Sequence, residues 1–344
     1  MGSPRRALDD AVAALPDASD PLALSLNESP FPPLPAVRAA MISSIDAANR
    51  YPPFLPERLR ALVASRVGVA DDQVVLGVGA TGVIMQVLQA VTAPGDTMVM
   101  ASPTFDGYPI FAATARLISV AVALDVYGYH DLDAMAEAAR TARVVVLCRP
   151  HNPTGTVESA AEVEEFLRRV PADTVVILDE AYVEFVAPHH RIDAADLVRR
   201  YPNTVVVRTF SKAYGLAGVR VGYAFCAAHL ARTLWTWQLP FGIGSTAMVA
   251  VAASYDAECQ LQQRVRAITA ERRLLRRRLR SVGVHSTDAH ANFVYLPPQR
   301  PWRDVFDGTG PRVRHYADGG VRITVGNRRS TRAVLSAVAG SDRV

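Results

Sequence analysis

Cysteine is scarce: three residues in 344, at positions 148, 226 and 259. They lie too far apart for a zinc-type spacing, and an odd, sparse set does not build a disulfide-stapled scaffold. The pattern fits a reducing compartment, so a cytoplasmic chain is expected. No apolar run approaches the ~20 residues of a membrane span. Residues Met1 to Arg6 lack the apolar stretch of a secretory leader. Internal repeats and low-complexity tails are absent as well. A net charge of +4 raises nucleic acid as a partner. The main basic run, Arg272–Arg280, argues against it: Leu274, Leu275 and Leu279 form one apolar stripe, so its arginines are expected on the wet face of a helix. His189 and His190 lie in a polar loop and are read as solvated, and no metal is expected.

What remains is a chain with 50% hydrophobic and 20% charged residues, long enough for two domains or a large domain with a satellite. The stretch it is organised around is Arg208–Tyr223. This opens at the end of the apolar run Thr204–Val207, which reads as a buried strand. Lys212 sits there among small and hydroxylated neighbours instead of other charges. Such company marks an amine that is desolvated and partly deprotonated, a candidate nucleophile. Thr209, Ser211 and Arg220 are placed to hold a phosphate beside it. A Schiff-base lysine next to an anchored phosphate is the requirement of pyridoxal 5'-phosphate.

Val74–Leu76 followed by Gly77–Gly82 spells GxGxxG between a strand and a helix, the dinucleotide fingerprint. A Rossmann unit should reach an acidic strand end about 20 residues on. The next strand, Thr97–Ser102, ends in Ser-Pro. The turn is therefore read as one wall of the phosphate site, with Ala80 and Thr81 supplying N–H groups and a hydroxyl. Arg143–Cys148 and Thr174–Asp179 are near-continuous apolar runs separated by the helical Ala160–Arg169. Strand–helix–strand spacing of this kind indicates a parallel sheet covered on both faces, and the fold class expected for the whole chain is α/β with a mixed, mostly parallel sheet. Functional residues are then expected at the carboxyl ends of strands, where Asn152, Asp179 and Tyr182 stand.

Leu26–Pro30, Arg50–Pro52, His151–Gly155, Leu178–Tyr182, Arg208–Tyr223, Ala291–Phe293 and Val321–Gly326 form an ordered set. It resembles the fold-type I pyridoxal-phosphate aminotransferases of the histidinol-phosphate aminotransferase group. Within that group the actinobacterial-type aromatic (phenylalanine) aminotransferases are most similar. The resemblance covers nearly the whole chain. It implies an N-terminal arm over 1–35 that joins the small domain, a large cofactor-binding domain over 36–254 and a small α/β domain over 255–344. It implies transamination between an L-amino acid, aromatic or histidinol-phosphate-like, and a 2-oxo acid, with Lys212 as Schiff-base residue and proton carrier.

The resemblance further implies that Asp179 keeps the pyridine nitrogen protonated and that Asn152 and Tyr182 bond the ring oxygen. Phe105 would stack on the ring, and Tyr51 would reach the phosphate of a partner subunit in a homodimer. Arg322, Arg314 and Asn27 would meet the substrate. His151 stands where asparagine is more usual, Thr81-Gly82 where an acidic pair is usual, and segment 297–320 is unusually compact. These departures leave open a specialised amino acid of secondary metabolism. A pyridoxal-phosphate decarboxylase or lyase on the same scaffold stays open too, as does a non-enzymatic nucleotide-binding protein using Gly77–Gly82.

Overall fold

The computed structural model describes residues 17–340. The sequence predicts a helix over Arg5–Leu15, which lies outside them. Seven strands form the main sheet: β1 (Val74–Gly77), β2 (Thr97–Ser102), β3 (Ile118–Ala123), β4 (Val144–Cys148), β5 (Val175–Asp179), β6 (Thr204–Thr209) and β7 (Gly222–Cys226). Their order is β1-β7-β6-β5-β4-β2-β3. Every neighbour pair from β6 to β3 is parallel, whereas β7 runs antiparallel to both β6 and β1. The valine-rich runs behave as expected: each residue of β4, β5 and β7 is buried, because helices cover both faces and leave no solvent side to alternate toward. Two apolar layers result. One holds Val145, Leu147, Val176 and Leu178, and the other Val144, Val146, Val175 and Ile177, the period-2 division a strand imposes.

The second sheet has three antiparallel strands, β8 (Phe293–Leu296), β9 (Arg314–His315) and β10 (Val321–Thr324), in the order β8-β10-β9. A 24-residue helix, Glu258–Ser281, precedes it and ends just before Gly283, whose φ of 72° suits a residue without Cβ. The arm joins this sheet. Ala23 bridges Arg312, and the Thr324 amide donates to the Leu24 carbonyl at 2.9 Å.

One expectation about the long helix is corrected. Leu275 and Leu279 are buried as the stripe requires, but Arg272 is also buried, at 5% exposure. Its Nη1 donates to the Ala291 carbonyl at 2.5 Å. The guanidinium is long enough to lie across the stripe and satisfy a carbonyl at the start of the small sheet, which a wheel of polar and apolar positions does not reveal. The sequence predicts an amphipathic helix over Pro35–Ala48; the segment is α-helical over Pro35–Ser43 and then tightens to a 3-10 turn, Ile45–Ala47.

Candidate active site

Parallel register brings the carboxyl ends of three strands level, with Cys148 opposite Asp179 and Asp179 opposite Val207. The segments that leave these ends, with the turn after β1 and the arm, enclose a cavity of about 220 Å³. Ala80, Thr81, Phe105, Asn152, Asp179, Tyr182, Thr209, Ser211, Lys212 and Arg220 all line it. Ten residues separated by up to 140 positions thus share one wall.

One end of the cavity is an anion cradle. Arg220 adopts a left-handed backbone, φ 60°, and its Nη1 donates to Ser211 Oγ at 3.2 Å while Nη2 donates to Thr81 Oγ1 at 3.3 Å. Thr209 Oγ1 donates to Ser211 Oγ at 3.0 Å. Helix Gly79–Val91 begins at the same place, its first-turn residues Ala80 and Thr81 lining the cavity, and its dipole adds positive potential there. Glycines make this approach possible. A Cβ on Gly79 would lie 2.3 Å from Arg220 Nη2, and one on Gly222 would lie 2.4 Å from the Ala80 nitrogen.

Beside the cradle, Asp179 is buried at 4% exposure. Its Oδ2 accepts from the Tyr108 hydroxyl at 2.7 Å and its Oδ1 from the Ala181 amide at 3.0 Å. Burial pushes its pKa up, and the Tyr108 bond opposes that. A cationic nitrogen placed against it would hold it ionised. Phe105 packs edge-on to Tyr108 with centroids 5.3 Å apart. Lys212 faces the cavity, and its Nζ donates to the Leu26 carbonyl of the arm at 3.0 Å. Desolvation, helped by Arg322 and Arg220, lowers its pKa to about 8. A substantial neutral fraction near pH 8 follows.

The far end joins the two sheets. Tyr182 accepts from Asn27 Nδ2 at 3.0 Å and from Asn152 Nδ2 at 3.4 Å, and burial raises its phenol pKa. Asn27, buried at 1%, is fixed by its amide donating to Thr324 Oγ1 at 2.9 Å and by Asn292 Nδ2 donating to its carbonyl at 3.0 Å. Arg322 of β10 reaches across to Asn152 Oδ1 and also donates to the Ser25 carbonyl.

Two expected residues stand apart from this cluster. Tyr51 is 83% exposed against Phe241, ring centroids 4.8 Å apart, on the outer surface. Arg314 pairs with Asp106 at 2.9 Å, both half-exposed. His151 lies beneath the site. It is fully buried, with Nδ1 2.9 Å from Thr154 Oγ1 and its ring edge-on to His130. Burial and then His130 push its pKa well down, so it is a neutral prop for the turn that carries Asn152. Among the described residues no cluster suits a metal ion.

Sequence reasoning missed Tyr108, whose only signal was its place three residues after Phe105, and Tyr316, whose hydroxyl reaches Arg322. It also passed over a countable signal. Lys212 is the only lysine in the chain, against 36 arginines.

The residues fit pyridoxal 5'-phosphate: an anion cradle that a Cβ would fill, a buried carboxylate and a depressed amine share one cavity. Comparison with known proteins agrees. The family described as Aminotransferase class I and II matches residues 19–337. An aromatic amino acid aminotransferase of Streptomyces avermitilis is 42% identical over 320 residues, covering 91% of this chain and 89% of the relative. One of Streptomyces coelicolor is 42% identical over 308 residues, 88% and 86% of the two chains. The fold is that of histidinol-phosphate aminotransferase from Sinorhizobium meliloti, solved in complex with pyridoxal-5'-phosphate, with a TM-score of 0.87 over 96% of each chain at 24% identity.

Proposed function

The chain belongs to the class I and II aminotransferases, enzymes that transaminate with pyridoxal 5'-phosphate, and from that membership we propose that its amino donor is an aromatic L-amino acid. The observation that carries this choice is the pairing of Arg314 with Asp106. A donor bearing a distal phosphate needs a cation at the mouth, and here the carboxylate of Asp106 already neutralises that candidate. The cavity wall offers Leu26, Ile84 and Phe105 instead, surfaces suited to an uncharged ring. Names of the curated relatives point the same way.

When bound, the cofactor supplies an aldehyde that condenses with amines and a ring that accepts the electron pair released at the substrate's Cα. The side chains have separate tasks. Arg220, Ser211, Thr209 and the N–H groups of Ala80 and Thr81 hold its phosphate. Asp179 holds the proton on the ring nitrogen, and Tyr108 keeps that carboxylate oriented. Asn152 and Tyr182 donate to the ring oxygen, and Phe105 offers an aromatic face. Arg322 takes the substrate carboxylate with a guanidinium fork. Asn27 orients Tyr182. Lys212 Nζ, neutral in part near pH 8, is placed to take the proton from Cα and to deliver it to the carbon that was the cofactor's aldehyde.

The second half of the proposal is a homodimer. Tyr51, Phe54 and Phe241 form an exposed aromatic cluster, and Tyr51 turned away from its own cavity is free to enter a partner's. The donor is tested by reconstituting the protein and following its visible absorption with single donors. Phenylalanine or tyrosine should bleach the band and release the matching 2-oxo acid, with histidinol phosphate far slower. Carbon dioxide and an amine as products would overturn transamination, and faster turnover of histidinol phosphate would overturn the aromatic assignment.

A further inference from the structure

Tyr316 opens the turn between β9 and β10, on the compact segment 297–320. The turn is tightly made: the Tyr316 amide donates to the Gly320 carbonyl at 2.9 Å, and the Gly319 amide to the Tyr316 carbonyl at 3.1 Å. Tyr295 packs edge-on against the Tyr316 ring at 5.9 Å and bonds Asp318 of the same turn. The phenol is thereby aimed inward. Its hydroxyl accepts from Arg322 Nη1 at 2.9 Å and donates to Asn152 Oδ1 at 3.4 Å.

A guanidinium has five N–H groups. In Arg322 both on Nη1 are engaged, by Asn152 Oδ1 and Tyr316, and Nη2 gives one to the Ser25 carbonyl at 2.6 Å. A carboxylate only accepts hydrogen bonds. The oxygens of Asn152 and Ser25 that face Arg322 are acceptors also, so neither can bond a carboxylate arriving there. Of the three oxygens bonded to Arg322, only the Tyr316 hydroxyl carries a proton of its own. Burial raises its phenol pKa to about 12 although Arg322 opposes this, so that proton is present at neutral pH.

We propose that Tyr316 is a carboxylate-recognition residue: its hydroxyl turns from Asn152 to donate to the α-carboxylate that Arg322 holds, in the amino acid and in the 2-oxo acid alike. This rests on the reading of Arg322 as the carboxylate residue. It predicts equal treatment of both half-reactions, because the two substrates share that group and differ at Cα. An amine without a carboxylate gains nothing from Tyr316.

The test is Tyr316→Phe in the reconstituted holoenzyme, with Tyr316→Leu as a second variant if Phe does not fold. The dissociation constant of 3-phenylpropionate, an unreactive carboxylate, is measured by calorimetry. It should rise about tenfold, the effect of losing one hydrogen bond to a charged acceptor. KM for phenylalanine and for phenylpyruvate should rise by a similar factor with kcat nearly constant. The preference for phenylalanine over 2-phenylethylamine should fall about tenfold. Unchanged affinity for 3-phenylpropionate overturns the proposal. So does a shift in the pH midpoint of the ligand-free visible band, which would mean that Tyr316 acts through Asn152. If the wild type transaminates no amino acid, the functional reading fails, whereas the calorimetry still decides the role of Tyr316.

Discussion

At Lys212 the protein holds an amine where water is scarce and two guanidinium groups, those of Arg322 and Arg220, lie near. Both influences disfavour the ammonium form. Condensation with an aldehyde needs the neutral amine, so the rate at which the ligand-free chain takes up pyridoxal 5'-phosphate should climb as pH rises toward 8 and level above it. Stopped-flow absorbance from pH 6.5 to 9.5 measures this; a rate still climbing tenfold per unit at pH 9.5 would show an unperturbed lysine. The same depression has a stability side. Between pH 8 and 10.5 the unfolded chain binds more protons than the folded one, so this group's contribution to stability increases across that window. Lys212 and Arg220 were legible in the sequence because each is a charged residue in uncharged company, and Asp179 because it ends an unbroken apolar run. Tyr108 and Tyr316 were not, because each bonds a partner 71 or 164 positions away. A tyrosine's spacing carries no trace of such a partner.

Among elements, the strands that build the site were the easiest to read. β4, β5 and β6 are covered on both faces and so appear as unbroken apolar runs. The reversal of β7 left no such mark, because a buried strand has the same composition in either direction. Its consequence is local and strict. Running β7 back alongside β6 puts Gly222 opposite both Gly77 and Thr209, directly beneath the first turn of helix Gly79–Val91. Gly222→Ala would press a methyl group to within 2.5 Å of the Gly79 carbonyl carbon. Backbone cannot rotate away as a side chain can. We expect a loss of about 1–3 kcal/mol in denaturant unfolding of the apoprotein, together with weaker cofactor retention, since the helix N-terminus and Arg220 would be pushed apart. Gly218, where an added Cβ meets nothing within 4 Å, is the control: its alanine variant should retain cofactor.

At the scale of the molecule, the arm ties the two sheets to one cavity. Leu24 bonds the small sheet, Leu26 meets the lysine and Asn27 meets Tyr182, within four residues. The exposed cluster of Tyr51, Phe54 and Phe241 should be covered by a second copy. Phe54→Glu, at a residue 60% exposed, is then expected to yield monomers in sedimentation velocity and to lose cofactor faster, because Tyr51 no longer enters a neighbour. A wild-type protein that sediments as a monomer would end that reading. With arginine at every other basic position, the chain offers carbonyl compounds no ε-amine except the one in its interior. Guanidinium groups stay protonated and do not form imines under mild conditions. An aldehyde vitamin, a reducing sugar or an amine-directed label therefore meets a surface without decoys, and the chain's reactivity toward carbonyls is concentrated, apart from its α-amino terminus, at a single half-buried address in the cavity wall.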